Sequence, residues 1–202
     1  MKDFCVMITG LSSVVFGFLY ARRIWQRKAV ATFSMWLIFL VACLVSLGAY
    51  LMAENKDWKS GILNVVDVFY VSGVLFAIIM RAEQKARFEA FEKWYLIAAG
   101  LIVVLGMIVR SAWCTHLLTQ VLMSVAYIPM YHRMYVEKKK IDSYFAYLSQ
   151  IFTSAVALYP ALYDGNALSA TYACRSLFFG ILTTSIMLYY QYKVRRATLA
   201  SQ

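Results

Sequence analysis

Seven long apolar runs take up most of this 202-residue chain and leave only short polar connections between them. A helix that crosses the hydrocarbon core of a bilayer needs about 20 predominantly apolar residues. The runs extend over Phe4–Tyr20, Phe33–Ala53, Gly61–Met80, Trp94–Val109, Trp113–Tyr131, Ser143–Leu162 and Ser169–Tyr190. They are continuous rather than alternating in polarity, so they predict helices and not the strands of a β-barrel. The connections leave no room for a soluble domain. With 62% hydrophobic and 15% charged residues, the lipid bilayer is the expected solvent.

The net charge of +10 would suggest nucleic acid in a soluble protein. Here its distribution points elsewhere, and no nucleic-acid partner is expected. Arg22, Arg23, Arg27 and Lys28 follow the first run, and Arg81, Lys85, Arg87 and Lys93 follow the third. Arg133, Lys138, Lys139 and Lys140 follow the fifth, and Lys193, Arg195 and Arg196 follow the seventh. Fifteen of the twenty basic residues therefore fall on one side, which the positive-inside rule makes cytoplasmic. The N-terminus is then expected outside and the C-terminus in the cytoplasm. The first run carries its positive charges after the apolar stretch, unlike a cleavable leader, and is expected to remain as a helix. The compact layout is that expected of a bacterial inner-membrane protein.

Two connections look alike. Tyr20–Trp36 reads YARRIWQRKAVATFSMW, and Met130–Tyr147 reads MYHRMYVEKKKIDSYFAY. A shift of 110 sets Arg23 on Arg133, Trp25 on Tyr135, Thr32 on Asp142 and Ser34 on Tyr144. Each is a basic, aromatic helix end followed by a cationic turn and a capping residue that starts the next helix. This predicts an all-α membrane protein of seven transmembrane helices, built as two parallel three-helix repeats joined by an inverting helix. Residues 1–81 form the first repeat, 82–110 a cytoplasmic linker helix and the inverting fourth helix, and 111–202 the second repeat with a short basic tail. The linker RAEQKARFEAFEK, Arg81–Lys93, carries the i,i+4 pairs Glu83–Arg87 and Lys85–Glu89.

With these features the chain resembles the SWEET and PQ-loop superfamily of seven-helix transporters. The resemblance rests on the two repeat segments and on QVLMSVAYIPMYHRMY, Gln120–Tyr135, where Pro129 and Met130 stand in place of a PQ-type dipeptide. It implies the three-one-three layout, an outside N-terminus and movement of a small solute. The prolines depart from the sugar-facilitator pattern, because only Pro129 and Pro160 are present and both fall in the second repeat. Transporters of vitamin precursors of the nicotinamide riboside type have a related layout and favour aromatic and amide residues in mid-helix. Tyr144, Tyr147 and Gln150 are similar to that pattern, so both families remain open.

Ionisable groups inside a bilayer are costly and usually pair or line a polar cavity. Asp67 lies about 10 Å into the third run at about 1.5 Å per residue, and Arg175 about as deep in the seventh. They fall near equivalent positions of the two repeats and predict a salt bridge across the bundle, either binding solute or acting as an outer gate. Asn64 lies one turn outward from Asp67, and Gln120 lies four residues from His116. Gln150 falls nearer the midplane. Ser12, Ser13, Ser46 and Ser154 are further polar candidates. Trp36 and Tyr172 are the aromatics expected to stack on a solute ring, with Tyr147 and Phe178 also within the runs.

No catalytic set emerges, since His116 and His132 have no local nucleophile and acid, and no phosphate-binding glycine motif occurs. No enzyme activity, cofactor or metal is expected. Cys5, Cys43, Cys114 and Cys174 form no CxxC pair and read as small buried hydrophobes, with a Cys5–Cys114 disulfide as the one alternative. The reading is a transporter of a small polar solute, such as a sugar, nucleoside or vitamin precursor, working by alternating access. A second copy of the chain is an allowed partner. The rival is a non-transporting seven-helix receptor on the same scaffold.

Overall fold

A run of apolar residues in a bilayer has to satisfy its own backbone, and the helix does so within one segment. The computed structural model describes residues 1–29, 33–52, 58–59, 61–81, 90–109, 111–138 and 142–200, which form helices and short turns with no strand among them. The helices are α1 (Lys2–Trp25), α2 (Phe33–Met52), α3 (Ile62–Met80), α4 (Ala90–Val109), α5 (Ala112–Val125), α6 (Ile128–Glu137), α7 (Tyr144–Tyr163) and α8 (Ala167–Ala200). Five of them (α1, α2, α3, α7 and α8) are long and apolar enough to cross a membrane, so the chain is a multi-pass integral membrane protein. Most of the expected linker, residues 82–89, lies outside the described residues.

One expectation needs correcting. The run Trp113–Tyr131 is not a single bilayer-length helix. It divides into α5, of 14 residues, and α6, of 10. The chain therefore has six long helices among the described residues, not seven. Pro129 is the reason. A proline inside a helix has no N–H to donate and its ring collides with the carbonyl four residues back. That carbonyl belongs to Val125, where α5 stops. Tyr127 N then bonds Ser124 O at 3.4 Å, a tighter turn, and Pro129 is taken into the first turn of α6, where a missing N–H costs nothing.

The helices are inside-out relative to those of a soluble protein. On α1 the inward stripe is Val6, Thr9, Ser13, Gly17, Tyr20 and Ile24, at helical spacing and partly polar. Phe4, Met7, Leu11, Val14 and Phe18 face outward and are all at least 60% exposed. An outward face this apolar fits only a lipid surround.

Packing follows a pattern that occurs twice. α3 lies against both α1 and α2. α8 lies against α7 along its length and against α5 and α6. The two sets meet where α1 packs on α7 and α2 on α5, while α4 leans on α5. Small residues allow the close approaches. A Cβ at Gly17 would sit 3.0 Å from the Tyr70 ring, and one at Gly180 would sit 2.9 Å from Ile151. Lys2 pairs with Asp164 and Lys59 with Asp3, both at 2.7 Å, so the starts of α1 and α3 lie beside the α7–α8 turn. At the other end Arg23 bonds Ser143 at 3.3 Å, and the Arg81 guanidinium lies 5.8 Å from the Trp25 ring.

Gly180→Leu should drive α8 off α7 and lower stability by about 1–3 kcal/mol, the usual cost of overpacking. Gly73→Leu, where a Cβ meets nothing within 4 Å, should leave stability within about 1 kcal/mol of the parent. Thermal unfolding in detergent measures both.

Candidate functional site

The inward stripes of α1, α2, α3, α5, α7 and α8 do not close completely. They leave a cavity of about 70 Å³, room for several water molecules at ~10–15 Å³ of such space each. α3 contributes Asp67 and Tyr70, α8 Tyr172, Arg175 and Ser176, and α7 Tyr147 and Gln150. α2 contributes Trp36, Phe39 and Cys43, and Tyr127 enters from the α5–α6 break.

Of the residues singled out from the sequence, Asp67, Arg175, Gln150, Trp36 and Tyr172 line this one cavity. Asn64 and Gln120 stand behind it and hold its wall. The expected Asp67–Arg175 salt bridge is not formed. Asp67 Oδ2 accepts from the Tyr172 hydroxyl at 2.8 Å. Arg175 Nε donates to Gln120 Oε1 at 2.7 Å, and its guanidinium lies 5.0 Å from the Tyr172 ring centroid. Tyr172 therefore occupies the space a direct ion pair would need.

Behind Arg175 runs a polar chain of Gln120, Ser46, Asn64 and His116. Gln120 accepts from Arg175, so its amide nitrogen points to Ser46 Oγ at 3.4 Å, and Asn64 Nδ2 reaches the same oxygen at 3.2 Å. Ser46 then donates to His116 Nδ1 at 3.3 Å, and His116 Nε2 donates to Leu168 O at 3.0 Å. This makes His116 the neutral Nε2–H tautomer, assigned from the bonding pattern. Its approach to Gln120 Nε2 at 3.2 Å is then a contact of two donors without a bond. In the middle of the cavity Gln150 Nε2 donates to Ser176 O at 2.9 Å and lies 2.8 Å from the Tyr127 hydroxyl. Tyr127 stacks on Phe179 at 4.9 Å and meets Phe39 edge-on at 5.1 Å.

A second carboxylate lies outside the cavity lining, bonded to Tyr147 of its wall. Asp142, buried just before α7, accepts from Tyr20 at 2.8 Å, from Tyr147 at 3.0 Å and from the Ser143 backbone N–H at 2.6 Å. Tyr20, Trp36 and Tyr70 form an aromatic group above it, with centroids 5.7 to 6.5 Å apart. In the sequence, Asp142 reads only as a helix start.

Other expectations divide. Ser13 lines the cavity and Ser154 donates to Ser176 at 2.8 Å, whereas Ser12 turns back to Ile8 O. Tyr147 is at the site, but Tyr144 bonds Gln191 outside it and Phe178 is 60% exposed on the outer surface. All four cysteines are free, so the Cys5–Cys114 disulfide is absent. Only Cys43 is buried; Cys114 and Cys174 face outward, contrary to the reading of four buried thiols. Cys43 Sγ lies 3.6 Å from the Tyr172 hydroxyl. Four buried polar atoms on the cavity wall, Ser13 Oγ, Trp36 Nε1, the Tyr70 hydroxyl and Arg175 Nη1, have no partner among the described residues.

No family model, curated protein or solved structure matches the chain.

Gln120→Leu should cost about 1.5–3 kcal/mol, because it removes a charge-assisted acceptor and strands Arg175 Nε in the interior. Gln120→Glu, which keeps the acceptor, should stay closer to the parent. Unfolding midpoints of the two variants in detergent decide this.

Proposed function

We propose that this chain is a membrane transporter of a small polar solute, working by alternating access around the Asp67–Arg175 cavity. The observation that carries the reading is that cavity: inside an apolar envelope, with polar atoms on its wall left without partners. Buried polar groups are normally satisfied, and exceptions call for a role. A core built for stability alone gains nothing from them.

The architecture supports the same reading. α5 and α6 together make one crossing, bent at Pro129, and with α4 the chain crosses seven times. The two triplets, 1–81 and 111–202, are parallel repeats, and α4 is the inverting helix between them. In each triplet the third helix packs between the first two, α3 in one and α8 in the other. Between triplets the first helix of each meets the second of the other, as a two-fold relation requires. Sites of repeat-built transporters lie at such an interface. The basic residues put the N-terminus outside and the C-terminus in the cytoplasm, and the resemblance to SWEET, PQ-loop and riboside-type transporters points the same way.

Two hydrogen bonds run from a tyrosine of one triplet to a carboxylate of the other. Tyr172 on α8 reaches Asp67 on α3, and Tyr20 on α1 reaches Asp142 before α7. Rocking of the triplets would release one bond while keeping the other.

Purified protein in liposomes should take up one class from a panel of sugars, nucleosides, vitamin precursors and amino acids. Asp67→Asn should abolish that flux while the protein still folds. Saturable binding with no flux would replace the transporter by a receptor on the same scaffold.

A further inference from the structure

Asp67 and Arg175 line one small cavity and do not touch. The arrangement is held in place rather than left to chance. Tyr172 is 1% exposed and stands between the two, its hydroxyl on Asp67 and its ring under the guanidinium. The His116 ring lies against it, with centroids 6.3 Å apart, and Cys43 touches its hydroxyl. Gln120 pulls Arg175 to the far side by Nε. What remains are both Nη nitrogens of the guanidinium, Nη1 being fully buried, and Asp67 Oδ1; none of the three takes a bond among the described residues.

Opposite charges buried in a membrane protein are costly unless each is paired. A neutral ligand would leave both uncompensated. An anion would answer Arg175 and leave Asp67, and a cation would do the reverse. A ligand carrying both charges answers both at once and adds no net charge to the interior. We infer that the site takes a small zwitterion of the amino-acid type, its carboxylate on Arg175 and its ammonium on Asp67. This rests on the transporter reading and narrows its solute class. The aromatic residues Trp36, Tyr70, Tyr127, Phe16 and Phe39 also line the cavity and receive the uncharged part of the ligand. A cavity of about 70 Å³ sets a small size for the ligand.

The test is calorimetric titration of the full-length protein in detergent with five probes: L-alanine, L-phenylalanine, L-alaninamide, N-acetyl-L-alanine and uridine. One of the two amino acids should bind, and the singly charged analogues should bind about a hundredfold more weakly, because each leaves one buried charge unanswered. Asp67→Asn should shift the preference toward the N-acetyl anion, and Arg175→Gln toward the amide cation. That reciprocal switch is one a purely structural pair would not produce, and the parent's selectivity stands without either variant. Equal binding of the singly charged analogues, or binding of none of the amino acids, would overturn the zwitterion. Liposome uptake separates the two readings. Amino-acid binding without uptake would end the transporter and keep the site. Uptake of a sugar or nucleoside that neither amino acid inhibits would keep the transporter and end the zwitterion.

Discussion

Tyr172 holds a carboxylate and a guanidinium in one membrane-buried cavity while keeping them from pairing, and much of the bundle serves that separation. α3 and α8 have to approach closely enough for the hydroxyl to reach Asp67 at 2.8 Å. α5 has to present Gln120 to Arg175, and α2 has to present Ser46 to tie Gln120 and Asn64 together. Loss of any one support would leave a polar group in a place where water cannot replace its partner.

The same economy explains the unusual distribution of side chains. Thr9, Ser13, Ser46, Asn64, Gln120 and Ser154 are buried within the bundle, while Phe4, Leu11, Phe18, Phe69 and Ile108 face out. Several inward hydroxyls return to their own helix, as Thr153 does to Ser149 O at 3.0 Å and Thr184 does to Gly180 O at 2.8 Å. Those that do not, including Ser46, Ser154 and Ser176, join helices to one another. The α5–α6 break belongs to this logic as well. By ending α5 at Val125, Pro129 turns Tyr127 toward Gln150 and Phe179, so that an aromatic residue faces the cavity from a segment too short to supply a full crossing.

Much of this was legible in the chain itself. The helical class and membrane setting follow from the length and continuity of the apolar runs. The scarcity of ionisable groups within them was enough to single out Asp67 and Arg175, and the amides Asn64, Gln120 and Gln150 were few enough to stand out. What sequence could not supply was pairing. Depth along a helix places Asp67 and Arg175 at one level, but their rotation about the helix axes decides whether they meet, and Tyr172 decides that they do not. Pro129 was visible as a motif, yet its effect on the run Trp113–Tyr131 depends on which side of a boundary it falls. Asp142 and Tyr20 were hidden for another reason. Both lie at helix ends near basic connections, where a carboxylate reads as a cap and a tyrosine as an interface anchor.

The central claim is that this buried cavity opens to water, and Cys43 is placed to report it. It is buried on the cavity wall, while Cys114 and Cys174 face outward. With Cys5, Cys114 and Cys174 replaced by serine, Cys43 in liposomes should react with a charged, membrane-impermeant thiol reagent added to either side, and transported solute should slow the reaction. A Cys43 that stays unreactive from both sides in folded protein, and reacts only on denaturation, would make the cavity a sealed core and contradict the account.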